Sequence, residues 1–364
     1  MALSKIPSAG FQDNVKFRNL IINGDMSIAQ RGTSASSISS GATYNTCDRW
    51  LISVSSLGTW TNTQSTDVPS GQGFSKSFKM DCTTADASPS AGDYCMIQQR
   101  FEGQNLQYLK KGTSSAEQVT LSFWVKSNKT GTYVAQLEDT DNNRSTSKSY
   151  TINSSNTWEK KTITYDADTT GAFDNDNGLS LVIEFWLGAG STYTSGTLAT
   201  SWESTTPANR AVGQVNLADS TSNEWYITGV QLEAGTTASD FEFLPHDVNL
   251  NRCLRYFEKI ADGSEDADGV IGSGGYIYQT NVLGINYQWY PKRANPSIYQ
   301  TSGTSYFRFQ RSGGTDDFNQ VKLYIPNYLN GLMYSDDGIS GSANTNGWVQ
   351  INNASAYLGL NAEL

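Results

Sequence analysis

The chain has 364 residues, of which 16% are charged, with 25 Lys and Arg against 35 Asp and Glu. An ordinary soluble domain has about 25% charged residues, and here Ser, Thr, Asn, Gly and Tyr fill the deficit, residues that favour strands and turns. The formal net charge of −10 without a basic run excludes a nucleic-acid binder, because such proteins neutralise phosphates with Lys and Arg. The composition predicts an all-β protein.

The beginning of the chain predicts an arm and not a domain. Residues 1–18 are mixed and without period, and residues 1–7 lack the apolar core of a secretory signal. No run of about 18 apolar residues occurs, so we expect no membrane insertion and no classical export.

Alternating apolar positions indicate strands over residues 19–245. Val119, Leu121, Phe123 and Val125 alternate with polar or outward residues, the period of a half-buried strand. The same alternation is read in residues 133–137, 179–187 and 226–232. Many such runs, separated by turn signals, predict two antiparallel sheets packed as a jelly-roll-like β-sandwich. The residues assigned to its core are Trp50, Phe123, Phe185 and Trp225.

A single helix is predicted after the sandwich. Leu250, Cys253, Leu254 and Phe257 have helical spacing, so residues 246–260 are interpreted as a short linking helix. The acidic, Gly-rich residues 261–275 suit a surface loop. Short aromatic and β-branched runs then predict a smaller C-terminal β domain within residues 261–364; they cover residues 276–289, 305–311, 321–325 and 348–351.

Three stretches resemble a family of bacteriophage tail-fibre and receptor-binding proteins. The first is NLIINGDMSIAQRGT at 19–33, followed by YNTCDRW at 44–50. The second runs from GVQLEAG at 229–235 through FEFLP to RCLRYF at 252–257, and the third is LGLNAEL at 358–364. Residues 115–232 also resemble the carbohydrate-binding jelly rolls attached to glycanases, in LSFWVK at 121–126, TWEK at 157–160 and GVQLE at 229–233.

The resemblance implies a virion tail protein, assembled in the host cytoplasm and displayed on the particle. It further implies a homotrimer whose partners are other phage tail or baseplate proteins and a host surface glycan or outer-membrane receptor. The arm of residues 1–18 would then attach to the virion or trimerise, and residues 261–364 would contact the receptor or form the trimer. Two alternatives stay open: a structural virion protein, such as a baseplate adaptor or head decoration, and a glycan-depolymerising tail spike.

No catalytic residue is predicted. A glycan hydrolase needs two carboxylates about 5 to 10 Å apart beside a groove. The adjacent pairs Asp316 and Asp317, and Asp336 and Asp337, point to opposite faces of an extended strand. His246 is the one imidazole of the chain, and no Gly-x-Ser-x-Gly elbow accompanies it. The chain is therefore expected not to be an enzyme.

No cofactor and no zinc site are predicted. The four cysteines lack CxxC spacing, and free thiols are expected, although Cys47 with Cys95 would form a bridge in an oxidising setting. Turns are the first interpretation of two Asx-rich clusters, because Asp and Asn favour them. A structural Ca²⁺ is the alternative, with Asp139, Asp141, Asp174 and Asp176 as its candidate ligands.

Binding of a sugar is the chemistry that the aromatic residues favour. Sugars stack their C–H faces on Trp or Tyr and exchange hydrogen bonds with nearby amides and hydroxyls. Core packing or a subunit interface is the alternative role for each such residue. The candidate carbohydrate- or receptor-binding residues are Trp60, Tyr193, Trp202, Tyr276, Tyr278, Trp289, Tyr290, Tyr299 and Tyr306.

Overall fold

A computed structural model describes residues 17–324 and 326–364. The predicted arm lies outside the described residues apart from positions 17 and 18, and so does Ile325 at the end of one predicted strand. The described chain forms 21 strands and two α-helices. It divides into two compact units, the first ending at Pro245 and the second beginning at His246.

The described part of the first unit, from residue 17 onward, contains eleven strands and a one-turn helix. They are β1 (Ser34–Tyr44), β2 (Leu51–Ser65), β3 (Ser77–Thr84), β4 (Tyr94–Glu102), β5 (Val119–Ser127), β6 (Gly131–Asp139), β7 (Arg144–Ile152), β8 (Glu159–Tyr165), β9 (Leu179–Ala189), α1 (Ser191–Thr194), β10 (Glu203–Ser204) and β11 (Glu224–Ala234).

Strand β2 joins the two layers of this unit. Residues 51–56 of β2 pair with β4, whereas residues 59–65 pair with β3. Between them Gly58 has a φ of 67°, and a side chain there would lie 2.6 Å from the carbonyl oxygen of Thr84, so the bend requires glycine. One layer is therefore β10-β7-β6-β9-β4 and the other is β3-β11-β5-β8, with β1 following β2 along the bend. The predicted antiparallel β-sandwich is confirmed.

The inner faces of the two layers meet through aromatic rings. The ring centroids of Phe123 on β5 and Phe185 on β9 lie 5.2 Å apart, and Trp225 on β11 lies 6.2 Å from Phe185. Trp50, Phe123, Phe185 and Trp225 are all fully buried, as predicted for the core.

The alternation predicted for residues 226–232 is wrong in its first half. Trp225 and Ile227 point into the core, and so do Val230 and Leu232. The pairing of β11 with β5 shifts register between Thr228 and Gln231, and Gly229 at a φ of 61° accommodates the extra residue. Because the bulge changes the parity, Tyr226 lies on the outer side, 6.1 Å from the ring of Trp158.

Apart from position 325, which is not described, the second unit contains one helix and ten strands in two sheets. The elements are α2 (His246–Leu254), β12 (Phe257–Asp262), β13 (Val270–Gln279), β14 (Val282–Ile285), β15 (Ser297–Gln300), β16 (Phe307–Arg311), β17 (Gly314–Phe318), β18 (Lys322–Tyr324), β19 (Leu332–Ser335), β20 (Thr345–Ile351) and β21 (Tyr357–Asn361). Three strands form the sheet β12-β21-β15, and seven form the sheet β17-β16-β20-β13-β14-β19-β18.

Two predictions around the helix are corrected. The helix ends at Leu254 and not at residue 260, because Phe257–Asp262 pairs antiparallel with β21 and buries Phe257 completely. The predicted loop of residues 261–275 is also too long. Its last part belongs to β13, where Ile271 is buried in the core of the second unit.

Among the described residues, no helix has the length and apolar character needed to cross a membrane.

Candidate functional site

The outer face of the seven-stranded sheet carries exposed aromatic side chains. On β20, Val349 and Ile351 are buried in the core, so Asn346, Trp348 and Gln350 point to the opposite side. The indole of Trp348 is 48% exposed, and its Nε1 donates a hydrogen bond to Gln350 Oε1 over 3.1 Å. This side of the strand therefore presents a ring held beside an amide.

Register places four tyrosines on the same side of the sheet. Tyr276 on β13 faces Gly284 on β14, which faces Tyr334 on β19, which in turn faces Lys322 on β18. Tyr278 and Tyr324 lie two residues further along their strands and so share this side. We call the surface formed by Tyr276, Tyr278, Tyr324, Tyr334 and Trp348 the aromatic face.

A glycine in β14, the strand between β13 and β19, lets the aromatic face form. A Cβ atom at Gly284 would lie 3.0 Å from Cε1 of Tyr276 and 3.3 Å from Cδ1 of Tyr278. Both rings therefore lie over the backbone of β14, with their centroids 6.0 Å apart. At the far side, the rings of Tyr324 and Tyr334 meet edge to face with centroids 6.5 Å apart.

Two tyrosines of the aromatic face, one on β13 and one on β18, are exposed to solvent. Tyr278 is 40% exposed and Tyr324 is 58% exposed. Desolvation, together with the neighbouring Tyr334, Tyr276 and Tyr324, raises the pKa of the Tyr278 hydroxyl, which therefore keeps its proton at neutral pH. The face thus offers flat apolar surface together with phenol groups that donate hydrogen bonds.

A groove of about 560 Å³ adjoins the aromatic face at Tyr324. The groove is lined by Ser273, Ile285, Asn286, Tyr287, Gln288, Tyr324, Asn330, Gly331 and Leu332. None of these residues carries a charge. The side-chain amides of Asn286 and Gln288 form no hydrogen bond within the described part of the chain. The groove therefore combines two apolar residues, two phenols and several amide or hydroxyl groups.

Two cations on this side of the sheet form ion pairs with carboxylates. Lys322 Nζ lies 2.6 Å from Asp336 Oδ1, and Arg308 contacts Asp317 through two hydrogen bonds of 2.6 and 3.0 Å. These hydrogen bonds lower the pKa of both carboxyl groups. Each of these two cations is thus matched by a carboxylate.

The nine predicted binding residues do not lie together in the structure. Tyr276 and Tyr278 lie on the aromatic face. Tyr290 and Tyr299 are also exposed, but Tyr299 packs against Phe257 in the three-stranded sheet and Tyr290 lies beside Lys292. Tyr306 is half-buried against Gly303.

Two of the predicted binding residues are buried, which corrects the prediction. Trp60 is fully buried, and its Nε1 donates to the carbonyl oxygen of Leu57 over 2.7 Å. Trp289 is 3% exposed and belongs to the core of the second unit. Neither ring has a free face for a ligand to stack on.

The remaining two predicted residues lie in the first unit and are half-buried. Trp202 donates from Nε1 to the carbonyl oxygen of Asp166 over 2.9 Å, and Lys111 Nζ lies 5.2 Å from its ring centroid. Tyr193 packs on Trp186, with centroids 5.4 Å apart. Both rings take part in packing contacts inside the unit.

Sequence reasoning missed Tyr324, Tyr334 and Trp348 as well as the amides of the groove. A signal for Trp348 was present: in residues 348–351, Val349 and Ile351 set the buried parity and leave Trp348 outward. The short strands β18 and β19, of three and four residues, gave no comparable alternation.

The calcium candidates act as partners for groups of the protein. The carboxylate of Asp139 pairs with Lys111 Nζ and is buried. Asp141 Oδ2 accepts from the amide of Asp174 over 2.9 Å, and Asp176 Oδ1 accepts from the amide of Gly178 over 2.7 Å. Within residues 17–324 and 326–364, no group of three or more His, Cys, Asp or Glu side chains is arranged to hold a metal ion. All four cysteines are buried free thiols.

Adjacent carboxylates point apart as predicted. Asp316 is buried and pairs with Arg311 over 2.7 Å, whereas Asp317 pairs with Arg308 on the other side of the strand. Asp336 pairs with Lys322, while Asp337 Oδ2 accepts from the amide of Asn319.

The first unit has aromatic residues on the outer face of β4, β9 and β6, but they are covered. Trp186 is fully buried, with Met96, Val134 and Ala211 around it. The segment of residues 190–215 lies over this face and is tied to β6, where Gln214 Oε1 accepts from the amide of Val134 over 2.7 Å. We call this the covered face.

A half-buried arginine of the same segment, Arg210, binds two carboxylates of the sheet. Arg210 Nη2 lies 2.9 Å from Glu138 Oε2 and 2.6 Å from Glu184 Oε2. Burial, followed by the nearby charge of Glu184, raises the pKa of Glu138. One guanidinium therefore bridges two carboxyl groups and offsets part of their mutual repulsion.

No family model and no curated protein sequence matches the chain. Solved structures similar to part of it include the enzymatically active domain of tailspike protein 4 of bacteriophage CBA120, with 18% identity over 60% of this chain and a TM-score of 0.31. That match spans 21% of the tailspike chain. The resemblance to tail-fibre proteins therefore stays a prediction from sequence.

Carbohydrate-binding proteins are also similar over part of the chain. A putative sugar-binding protein from Bacteroides thetaiotaomicron has 12% identity and a TM-score of 0.33, and the match covers 59% of this chain and 99% of that one. TmCBM61, solved in complex with β-1,4-galactotriose, has 10% identity and a TM-score of 0.24, with 60% and 99% covered.

Proposed function

We propose that this protein is a non-enzymatic receptor-binding subunit of a bacteriophage tail, and that it adheres to glycans on the host cell surface through the aromatic face. The observation that carries the glycan assignment is the set of exposed rings on one side of the seven-stranded sheet. Sugar rings have apolar C–H faces that stack on Tyr and Trp, and the hydroxyls around them need amide and phenol partners. Both kinds of group lie together here.

Isolated exposed aromatic residues are common on protein surfaces and need no explanation. The aromatic face differs because its residues come from four strands that share one register. The rings of Tyr276, Tyr278 and Tyr334 surround the bare backbone of Gly284, which leaves a shallow platform. Such a platform suits an extended ligand that lies flat on the sheet.

The tail assignment is supported by the resemblance of residues 19–50, 229–257 and 358–364 to tail-fibre proteins. Display of three copies on a fibre, and of several fibres on a particle, would convert weak single contacts into strong adhesion. A homotrimer is therefore part of the proposal. Light scattering that gives three times the chain mass is expected, and a monomer at micromolar concentration would contradict the trimer.

Adhesion is tested with the fluorescently labelled full chain on a panel of bacteria, scored by flow cytometry. We expect staining of susceptible cells, with a loss of about 10-fold or more in the double variant Tyr278→Ala and Trp348→Ala, because two stacking rings are removed. Tyr299→Ala is the matched control, since Tyr299 has the same 40% exposure as Tyr278 but belongs to the other sheet.

The depolymerase alternative is separated by a chemical assay. Surface polysaccharide from a stained strain is incubated with the protein, and new reducing ends are measured. Binding without new reducing ends supports adhesion. Release of reducing ends would assign the chain to the depolymerase class instead.

A further inference from the structure

We propose that the ligand of the aromatic face is an uncharged oligosaccharide segment that runs across the strands and places one end in the groove beside Tyr324. This inference rests on the proposed function and names the class of glycan. It follows from the charge, the polarity and the dimensions of the surface.

The groove has no charged residue with which to bind an anion. Its nine lining residues are neutral. A carboxylate or phosphate that entered the groove would lose water without gaining a cationic partner, which is unfavourable. Neutral hydroxyls, by contrast, find donors and acceptors in Ser273, Asn286, Gln288 and Asn330.

The cations near this surface are already engaged. Lys322 pairs with Asp336, and Arg308 pairs with Asp317. Behind the groove, Glu258 accepts a hydrogen bond of 2.7 Å from the Tyr287 hydroxyl and pairs with the buried Lys292. An acidic sugar would therefore meet paired cations and a protein of net charge −10.

The width of the aromatic face requires a ligand of more than one sugar. Tyr276 on β13 and Tyr324 on β18 are separated by three interstrand steps, or about 14 Å at about 4.8 Å per step. A single hexose cannot contact both rings. The continuous surface from Tyr276 over Gly284 and Tyr334 to Tyr324 therefore selects an extended segment of linked sugars.

The probes are pure neutral oligosaccharides of glucose, galactose, mannose and N-acetylglucosamine, from disaccharides to hexasaccharides, printed beside sialylated, uronic-acid and sulfated glycans. We expect the full chain to bind members of the neutral set, with affinity that rises from disaccharide to tetrasaccharide and changes little between low and high salt. Tyr324→Ala should weaken this binding about 10-fold, because its ring serves both the face and the groove.

A charge placed in the groove provides the second variant. Asn286→Lys removes an amide that the groove offers to sugar hydroxyls, so it should weaken binding of the neutral probes several-fold, and it should create binding of acidic probes that high salt removes. Neutral binding by the wild type together with this gain supports the inference.

Wild-type binding of acidic probes alone, with dependence on Tyr324, would overturn the neutral class and leave the proposed adhesion to glycans intact. Cell staining that survives enzymatic or chemical removal of all surface glycans would overturn the proposed function itself. The two failures are thus distinguishable.

Discussion

The covered face of the first unit and the aromatic face of the second unit both place a tryptophan beside tyrosines on the outer side of a sheet. Trp186 is fully buried beneath residues 190–215, whereas Trp348 is 48% exposed. The ion pairs differ in the same way: the side chains of Arg210 and Glu184 are 14% and 1% exposed, whereas those of Lys322 and Asp336 are 36% and 44% exposed. Similar residue types thus stabilise the fold in one unit and remain available for a ligand in the other.

A connecting segment, and not the strand itself, therefore decides the role of such a ring. Residues 190–215 add Tyr193 and Ala211 to the outer layer of the first unit and bury Trp186 with them. The aromatic face has no such layer among the described residues. Substitutions in the first unit should therefore change its stability, and substitutions on the aromatic face should change glycan binding.

Removal of the Arg210 cation should destabilise the first unit clearly. Arg210→Met takes away the cation shared by the buried Glu184 and the half-buried Glu138, and we expect a loss of about 3 kcal/mol in the free energy of unfolding at neutral pH. Lys322→Met, which breaks the exposed pair of the second unit, should cost about 1 kcal/mol or less. Urea unfolding of both variants measures the difference, and equal losses would contradict the contrast.

The Arg210→Met loss should also depend on pH in a defined direction. The raised pKa of Glu138 means that the folded state favours its protonated form, so stability falls as the pH rises through that pKa and recovers as the pH is lowered. Without Arg210 the pKa rises further, and the deficit of the variant should shrink at mildly acidic pH. A deficit that is constant or grows on acidification would contradict the assignment.

Truncation of the two tryptophans should affect different properties, stability for Trp186 and cell staining for Trp348. Trp186→Ala removes a fully buried side chain and should cost about 3–5 kcal/mol of unfolding free energy. Trp348→Ala should change stability by about 1 kcal/mol or less, because its ring already meets solvent, but it should reduce cell staining. Calorimetry and flow cytometry on the same preparations test both halves of this prediction.

A smaller effect is expected from adding a side chain at Gly284, under the rings of the aromatic face. Gly284→Val would place methyl groups against the rings of Tyr276 and Tyr278, displacing them without breaking the strand, since valine suits a sheet. We expect a several-fold loss of glycan affinity with little change in stability. Gly92→Val, at a position where an added Cβ meets no atom within 4 Å, is the control. Unchanged affinity in Gly284→Val would remove the platform from the site.

The fold was predictable where one face of a strand is apolar. Val119 to Val125 on β5, and Val349 with Ile351 on β20, mark the buried side by alternation alone. The bulge at Gly229 was not predictable, because a single extra residue reverses the parity without changing the composition.

The site was only partly predictable, for a related reason. Trp60 is surrounded by Thr, Asn and Gln and reads as a loop residue, yet it lies within β2, whose inward side includes the polar Asn62 and Gln64. Gln64 is buried because its Nε2 donates to the carbonyl oxygen of Met26 over 2.7 Å, a contact distant in sequence. Burial of an aromatic ring thus depends on partners that local pattern does not reveal.

Hydroxyl-radical footprinting of the full chain, free and bound to the glycan that it retains, locates the glycan-binding surface. We predict protection from oxidation at Trp348, Tyr278 and Tyr324, with unchanged oxidation at Tyr94 and Tyr193 of the first unit. Protection at Tyr94 and Tyr193 with none on the aromatic face would contradict the account and move the binding site to the first unit.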